Sequence, residues 1–370
     1  MIIPQAVNEI PEITDFLRRT VELGGSDLHL AANAPPAARV NGTLVPLTDW
    51  LLVPAVLNDL IEATLSEAQR ASLQQEWELD YALQVEGIGR FRGNVHLVRG
   101  HTEAAFRFVP AEVPDLDTLG HHPVVQDFCR LHRGLVLVTG ITGCGKSTTL
   151  ASMIRRISET RSGVIITIED PIEFVFEHRG CIIKQREVGS DTHGFPRALR
   201  QALRQDPDVI VVSEMRDLET IRIALSAAET GHLVLATLHT LDAPQSVERL
   251  VDVFPSDQQQ QVITQLAGVL EGVISQRLIP RADGQGRVLA SEVLRATYAI
   301  RSCIRDHKTE QLVGLMEIGF REGSRVIDQS IADLLGAGLI SREEAINHCR
   351  ERSRFNTPEP QTKKPKSIWA

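Results

Sequence analysis

The chain has 370 residues, enough for two domains of the usual size, roughly 100–200 residues each. Hydrophobic residues at 42% and charged residues at 24% are an ordinary balance for a soluble globular protein. A net charge of -9 argues against direct nucleic-acid binding, which needs a basic face; the nearest sequence cluster is Arg186, Arg197, Arg200 and Arg204. The five cysteines include no C-x-x-C pair, so neither a disulfide framework nor a zinc module is expected, and a reducing compartment fits. No apolar run reaches the roughly 18 residues of a membrane span. The start, MIIPQAVNEIPEITDFLRR, lacks the basic and apolar segments of a secretory signal. A membrane role is therefore expected to come through a partner.

In chain order, residues 1–109 read as a mixed α+β domain. Helical spacing over 10–23 puts Ile10, Ile13, Phe16, Leu17 and Val21 on one side, with Pro11 in the first turn and Gly24-Gly25 as the stop. Short strands are predicted at 28–30, 38–40, 82–85, 91–97 and 104–108, with a helical segment at 51–75 among them. Residues 110–123, with Pro110, Pro114 and Pro123, read as a linker. The adjacent His121 and His122 point different ways and have no third ligand at useful spacing, so they are read as loop residues. From residue 124 the pattern changes. Continuous apolar runs at 134–138, 163–168, 209–212 and 232–238 suit parallel strands buried on both faces. Residues 256–353 read as mainly helical, and a Pro- and Lys-rich tail at 356–370 as disordered.

The run LVLV leads into Gly140-Ile141-Thr142-Gly143-Cys144-Gly145-Lys146-Ser147, followed by Thr148, which satisfies G-x-x-x-x-G-K-[ST]. Glycines let backbone N–H groups curl around a β-phosphate. Lys146 offsets phosphate charge, Ser147 Oγ suits Mg²⁺, and the helix starting near Lys146 adds its positive end. The expected ligands are ATP and Mg²⁺.

Bound Mg·ATP also needs carboxylates at neighbouring strand ends. ITIEDPIE places Glu169 and Asp170 where a strand stops before Pro171, and DVIVVSE places Glu214 after an apolar strand. One acid would hold the metal shell and the other polarise the attacking water. Either alone is as ordinary as a helix cap; both downstream of a phosphate loop point to one site. His232 and His239 flank the strand LVLATL on opposite faces, which excludes a shared metal. His239 lies at the carboxyl edge, in reach of a γ-phosphate.

Taken together, GITGCGKSTTL, ITIEDPIEF, LRQDPDVIVVSEMRDLETIRIAL and ETGHLVLATLHT resemble the Walker A, Asp-box, Walker B and His-box segments of the secretion-type ATPases of type II secretion and type IV pilus systems. GGSDLHL, GRFRGN, AAFRFVP, VDVFP and ISQRLI extend the resemblance over nearly the whole chain. The resemblance implies an N-terminal PAS-like α+β domain, then a RecA-like P-loop ATPase domain, running to residue 355, with a helical C-terminal region. It implies a homohexameric ring, Glu169 as general base, Glu214 on the Mg²⁺ and water shell, and Arg92 and Arg107 reaching the γ-phosphate of a neighbouring subunit. It also implies a cytoplasmic enzyme held at the inner membrane by a pilus platform protein, with a paralogous retraction ATPase as a further partner. Extension and secretion relatives usually carry a longer N-terminal region and a four-cysteine zinc module, neither seen here, so the retraction branch is expected. Assembly, secretion or DNA-transfer ATPases of the same superfamily, and an accessory ring subunit, are the alternatives. Glu214 stands where a Walker B element usually has Asp, and the chain departs from the family at Ser213, usually Gly; at Ile141 and Cys144 in the phosphate loop; and at 299–304, which match only half of a retraction-linked AIRNLV-like motif.

Overall fold

The computed structural model describes residues 12–40, 42–109 and 112–356. Ile10, Pro11, Pro110 and the tail from 357 lie outside the described residues. Two compact units are present: Met1–Val113 with Pro171–Phe176, and Pro114–Asp170 with Glu177–Ala370.

The first unit holds α1 (Ile13–Glu22), β1 (Asp27–Leu30), β2 (Ala37–Val40), β3 (Thr43–Pro46), α2 (Pro54–Glu62), α3 (Glu67–Glu76), β4 (Glu78–Val85), β5 (Gly89–Val98) and β6 (His101–Val109). The strands form an antiparallel sheet of order β3-β2-β1-β6-β5-β4. Strand alternation sorts its faces. Leu28, Leu30, Phe91, Val95, Ala104 and Phe106 are buried against Phe16 and Leu17 of α1 and Leu57 and Ile61 of α2. The other face carries Asp27, Arg107 and Arg92, aligned directly across three strands. The segment read as one helix over 51–75 is two, because Ser66 starts α3 by capping Gln69 N–H. The short β3 has no buried residue and so no apolar signature in the sequence.

The second unit begins with α4 (Val124–Cys129), β7 (Gly134–Thr139), α5 (Lys146–Thr160), β8 (Gly163–Glu169), β9 (Cys181–Glu187), α6 (Phe195–Ala202) and β10 (Val209–Val212). It continues with α7 (Leu218–Glu229), β11 (Leu233–Leu238), α8 (Ala243–Asp252), α9 (Ser256–Val269), β12 (Leu270–Pro280) and β13 (Arg287–Arg295). The chain then forms α10 (Tyr298–Arg305), α11 (Leu312–Ile318), α12 (Ile327–Gly336) and α13 (Arg342–His348). The sheet order is β13-β12-β7-β11-β10-β8-β9, parallel except for the antiparallel pair β12 and β13. Every residue of β7, β10 and β11 is buried, which is why these strands read as unbroken apolar runs.

The mainly helical reading of 256–353 holds for α9 and from α10 onward but fails in between. There β12 runs for 11 residues and β13 for 9. Most of the proline-rich segment before α4 is fastened to the second unit: Pro114 O accepts from Ser152, and Asp115 and Asp117 accept from Arg156 of α5.

β12 makes a register shift between Leu270 and Gly272 beside β7. A Cβ at Gly272 would lie 2.2 Å from the Phe128 ring of α4. Gly272→Val is therefore expected to destabilise the protein by about 1–3 kcal/mol through overpacking. A lower midpoint in urea unfolding checks this; an unchanged midpoint would show that Phe128 moves aside freely.

Candidate active site

The phosphate loop leaves β7 at Thr139 and enters α5 at Lys146. Gly140, Gly143 and Gly145 all take positive φ, at 142°, 76° and 92°, conformations that a side chain strains. Lys146 is buried and donates from Nζ to Gly140 O at 2.8 Å and Ile141 O at 3.1 Å. Thr142 and Gly143 are exposed, Ser147 and Thr148 half-buried. Burial pushes the Cys144 thiol up against the opposing charge of Lys146, so it stays protonated and acts as packing. Two residues that sequence spacing did not reveal support the loop from β12 and β13. Gln276 Nε2 donates to Cys144 O at 3.0 Å, and Arg287 donates to Gly143 O at 3.4 Å. Gln276 lies in the ISQRLI segment, which was visible as a motif but carried no role.

The sheet order sets out the rest of the site. Along the carboxyl edge from β7 come β11, β10 and β8, which end next to His239, Glu214 and Glu169. At about 4.8 Å per strand, β10 lies about 10 Å and β8 about 14 Å from β7.

Arg216 grips Glu214 with a two-point fork, Nε to Oε1 at 2.5 Å and Nη2 to Oε2 at 2.6 Å, and His239 Nε2 lies 3.0 Å from the same Oε1. Burial alone would raise the Glu214 carboxyl, but the bonds from Arg216 and His239 outweigh it and hold it below the usual range. Glu214 is therefore a fixed anion. Glu169 Oε1 accepts from Thr167 Oγ1 at 2.6 Å and Gln185 Nε2 at 3.1 Å. His232 is not brought to this edge. It precedes β11 at the opposite end of the sheet, and its Nδ1 lies 3.0 Å from Ala227 O at the end of α7. Arg92 and Arg107 belong to the first unit, Arg107 Nε donating to Asp27 at 2.8 Å.

His121, read from sequence as a plain loop residue, is packed against the phosphate-loop helix: its Nε2 lies 2.9 Å from Thr149 Oγ1. Among the described residues no group of His, Cys, Asp and Glu could hold a metal on its own. No helix among them is long and apolar enough to cross a membrane.

This arrangement can be set against known proteins. A family model described as type II/IV secretion system protein matches residues 58–347. The chain belongs to the type II/IV secretion system protein family. Within it, the chain is 45% identical to the type IV pilus retraction ATPase PilT of Pseudomonas aeruginosa over 334 residues, covering 90% of this chain and 97% of that protein. It is 40% identical to the type IV pilus ATPase PilU of the same organism, covering 91% of this chain and 88% of that protein. A crystal structure of the pilus retraction motor PilT with bound ADP superposes with a TM-score of 0.88 at 47% identity, over 93% of this chain and 98% of that one. This member of the type II/IV secretion family is thus a nucleotide-using P-loop ATPase, with a RecA-like second unit after an N-terminal α+β unit.

Burial pushes the His121 imidazole from 6.5 down to about 4. Its folded form is neutral, while the unfolded chain binds a proton near 6.5. The contribution is therefore complete above about pH 6.5 and lost as pH falls toward 4, by up to about 3 kcal/mol. The stability difference between wild type and His121→Gln should shrink or reverse between pH 7.5 and 4.5 in paired urea titrations. A difference constant with pH would mean that His121 is not held neutral.

Proposed function

We propose that this chain is a hexameric ATP-hydrolysing motor that powers retraction of a type IV pilus. The observation that carries this reading is the carboxyl-edge row of phosphate loop, His239, Glu214 and Glu169, in a chain similar over 90% of its own length to a retraction ATPase. Lys146 leaves its loop carbonyls for the β- and γ-phosphates of ATP. Gly140, Thr142, Gly143, Cys144 and Gly145 wrap the phosphates with backbone N–H groups, and Thr148 lies in the first turn behind them. Ser147 and Glu214 would hold Mg²⁺, an ion bound through few protein groups plus substrate phosphates, which fits a site without a protein-only cage. The ion would neutralise charge on the phosphate oxygens. Glu169 is the general base for the attacking water; its place one strand farther from the loop than Glu214 supports this division. His239 reports the state of Glu214 to β11. Arg92 and Arg107 act on the γ-phosphate bound by a neighbouring subunit, as in arginine-finger enzymes. His232 has a structural role.

The partners in this reading are further copies of the chain, a pilus platform protein at the inner membrane and a paralogous retraction ATPase, with the chain working from the cytoplasmic side. An accessory role beside such a paralogue is the second reading. It is favoured by Ala299–Ile304, where Ile300, Cys303 and Ile304 are buried but the family motif is only half kept.

Lys146→Ala is expected to lower kcat at least 10²-fold. Glu169→Gln and Glu214→Gln are expected to bind nucleotide but lose most hydrolysis. In cells lacking the gene, wild type should restore pilus retraction and Lys146→Ala should not. Retraction restored by Lys146→Ala would overturn the motor reading in favour of the accessory one.

Arg107→Ala should assemble and bind ATP yet hydrolyse it poorly. Mixed with Lys146→Ala, it should recover activity, because some interfaces then join an intact loop to an intact arginine. Mixtures as inactive as both parents, despite demonstrated subunit exchange, would show that the arginine does not act in trans.

A further inference from the structure

The outer face of the N-terminal sheet carries a row of charged residues in direct register: Arg39 on β2, Asp27 on β1, Arg107 on β6 and Arg92 on β5. Asp27 is the buried member, at 8% exposure. Both its oxygens are engaged. Oδ1 accepts from Arg107 Nε at 2.8 Å, and Oδ2 accepts from Ser26 Oγ at 2.7 Å. The Arg107 side chain is 69% exposed. We propose that Asp27 is a positioning residue for Arg107, holding the guanidinium through Nε so that its two Nη groups are presented to the phosphate of a nucleoside triphosphate. This rests on the role proposed above for Arg107.

Three observations support the assignment. First, the geometry uses the one guanidinium nitrogen that a terminal phosphate contact does not need. Arg107 Nη atoms make no hydrogen bond among the described residues, so two parallel donors remain for an oxyanion. Second, the other basic groups beside Asp27 are engaged elsewhere or uncharged. Arg39 donates to Gly42 O at 3.1 Å, and burial together with Arg39 disfavours a protonated His29. Burial opposes ionisation of Asp27, but the bonds from Ser26 and Arg107 keep its carboxyl below the usual range, so it is an anion at neutral pH. Third, Arg92 stands directly across from Arg107, and like charges so placed repel. Without Asp27 on its other side, Arg107 would swing away from Arg92 and sample many rotamers. With the arginine mostly exposed, the pair adds little to stability, whereas an arginine displaced by about 1 Å can lose about 10²-fold in rate.

The test is steady-state hydrolysis by the full-length protein, with nucleotide affinity and ring assembly measured alongside. Asp27→Asn should lower kcat by about tenfold or more, with nucleotide affinity and assembly unchanged. Asp27→Asn combined with Arg107→Ala should be no slower than Arg107→Ala alone, and Asp27→Glu should recover part of the loss. Multiplying losses in the double variant, or a normal kcat for Asp27→Asn while Arg107→Ala is impaired, would overturn the positioning role. Normal hydrolysis by Arg107→Ala would instead overturn the reading of Arg107. If Asp27→Asn does not assemble, Ser26→Ala, which frees the second carboxylate oxygen, replaces it. A lowered kcat masked by Arg107→Ala supports the proposal, and an unchanged kcat overturns it.

Discussion

The phosphate end of the second unit depends on how closely β12 approaches the first residue of the loop. A side chain at Gly140 would place its Cβ 2.5 Å from Gln276 O and 2.6 Å from Cys144 Sγ. Its absence lets the β12 backbone lie against the loop, and only then can the Gln276 amide reach Cys144 O. The loop is thus held from both sides. Gln276 and Arg287 take carbonyls on one side, and Lys146 takes Gly140 O and Ile141 O from within. With these carbonyls engaged, the N–H groups of the turn other than that of Cys144, which donates to Ile141 O at 3.3 Å, are left for an anion. The non-standard Ile141 and Cys144 fit this account. Ile141 is exposed and meets no packing demand, and Cys144 fills the space that Gly140 leaves.

The same economy joins Glu214 to the histidine of the next strand. Glu214 and His239 follow adjacent parallel strands and meet at 3.0 Å. The backbone around them is stitched across the same pair: Met215 N–H donates to Thr237 O, and the Thr237 hydroxyl donates to Ser213 O. Because the carbonyl of residue 213 makes this contact, serine serves there as well as the family's glycine. Arg216 closes the cluster, and its fork leaves Glu214 one orientation. A change in what Glu214 meets must therefore displace His239 or break the fork.

What could be read in advance follows from how far apart the interacting residues lie in the chain. The β7, β10 and β11 strands were legible because both faces are buried and every residue is apolar. β9 escaped because it lies at the sheet edge and alternates Ile182 and Lys184 outward. β12 escaped because α9 passes straight into it between Val269 and Leu270, with Gly268 inside the helix and Gly272 inside the strand rather than in a turn, and periodicity alone does not separate a buried strand from a helix. At the site, Lys146, Ser147, Glu169 and Glu214 stood out through local spacing against a strand or helix end. Gln276, His121 and Asp27 did not, since each gains its meaning only from a partner that the fold brings near: Cys144, Thr149 and Arg107.

Long separation in sequence also accounts for the buried acid of β13. Glu292 is 1% exposed, and burial raises its carboxyl against the opposing pull of Arg350. Such a group is tolerated only when its oxygens are satisfied. One accepts from Ala243 N–H at the start of α8, the other from Ile327 N–H at the start of α12, where both helix dipoles favour a negative charge. Arg350 lies 3.2 Å from Glu292 and 3.2 Å from Asp242, which caps α8 through Gln245 N–H. Asp328 in turn holds the backbone N–H groups of Arg350 and Glu351 at 2.6 and 2.9 Å. The first turn of α8, immediately after His239, therefore shares one ionic cluster with the end of the helical C-terminal region. Moving either part alone would leave a charge buried without its partner, a larger cost than moving both. The start of α8 and the C-terminal helices are consequently tied together through one set of charges.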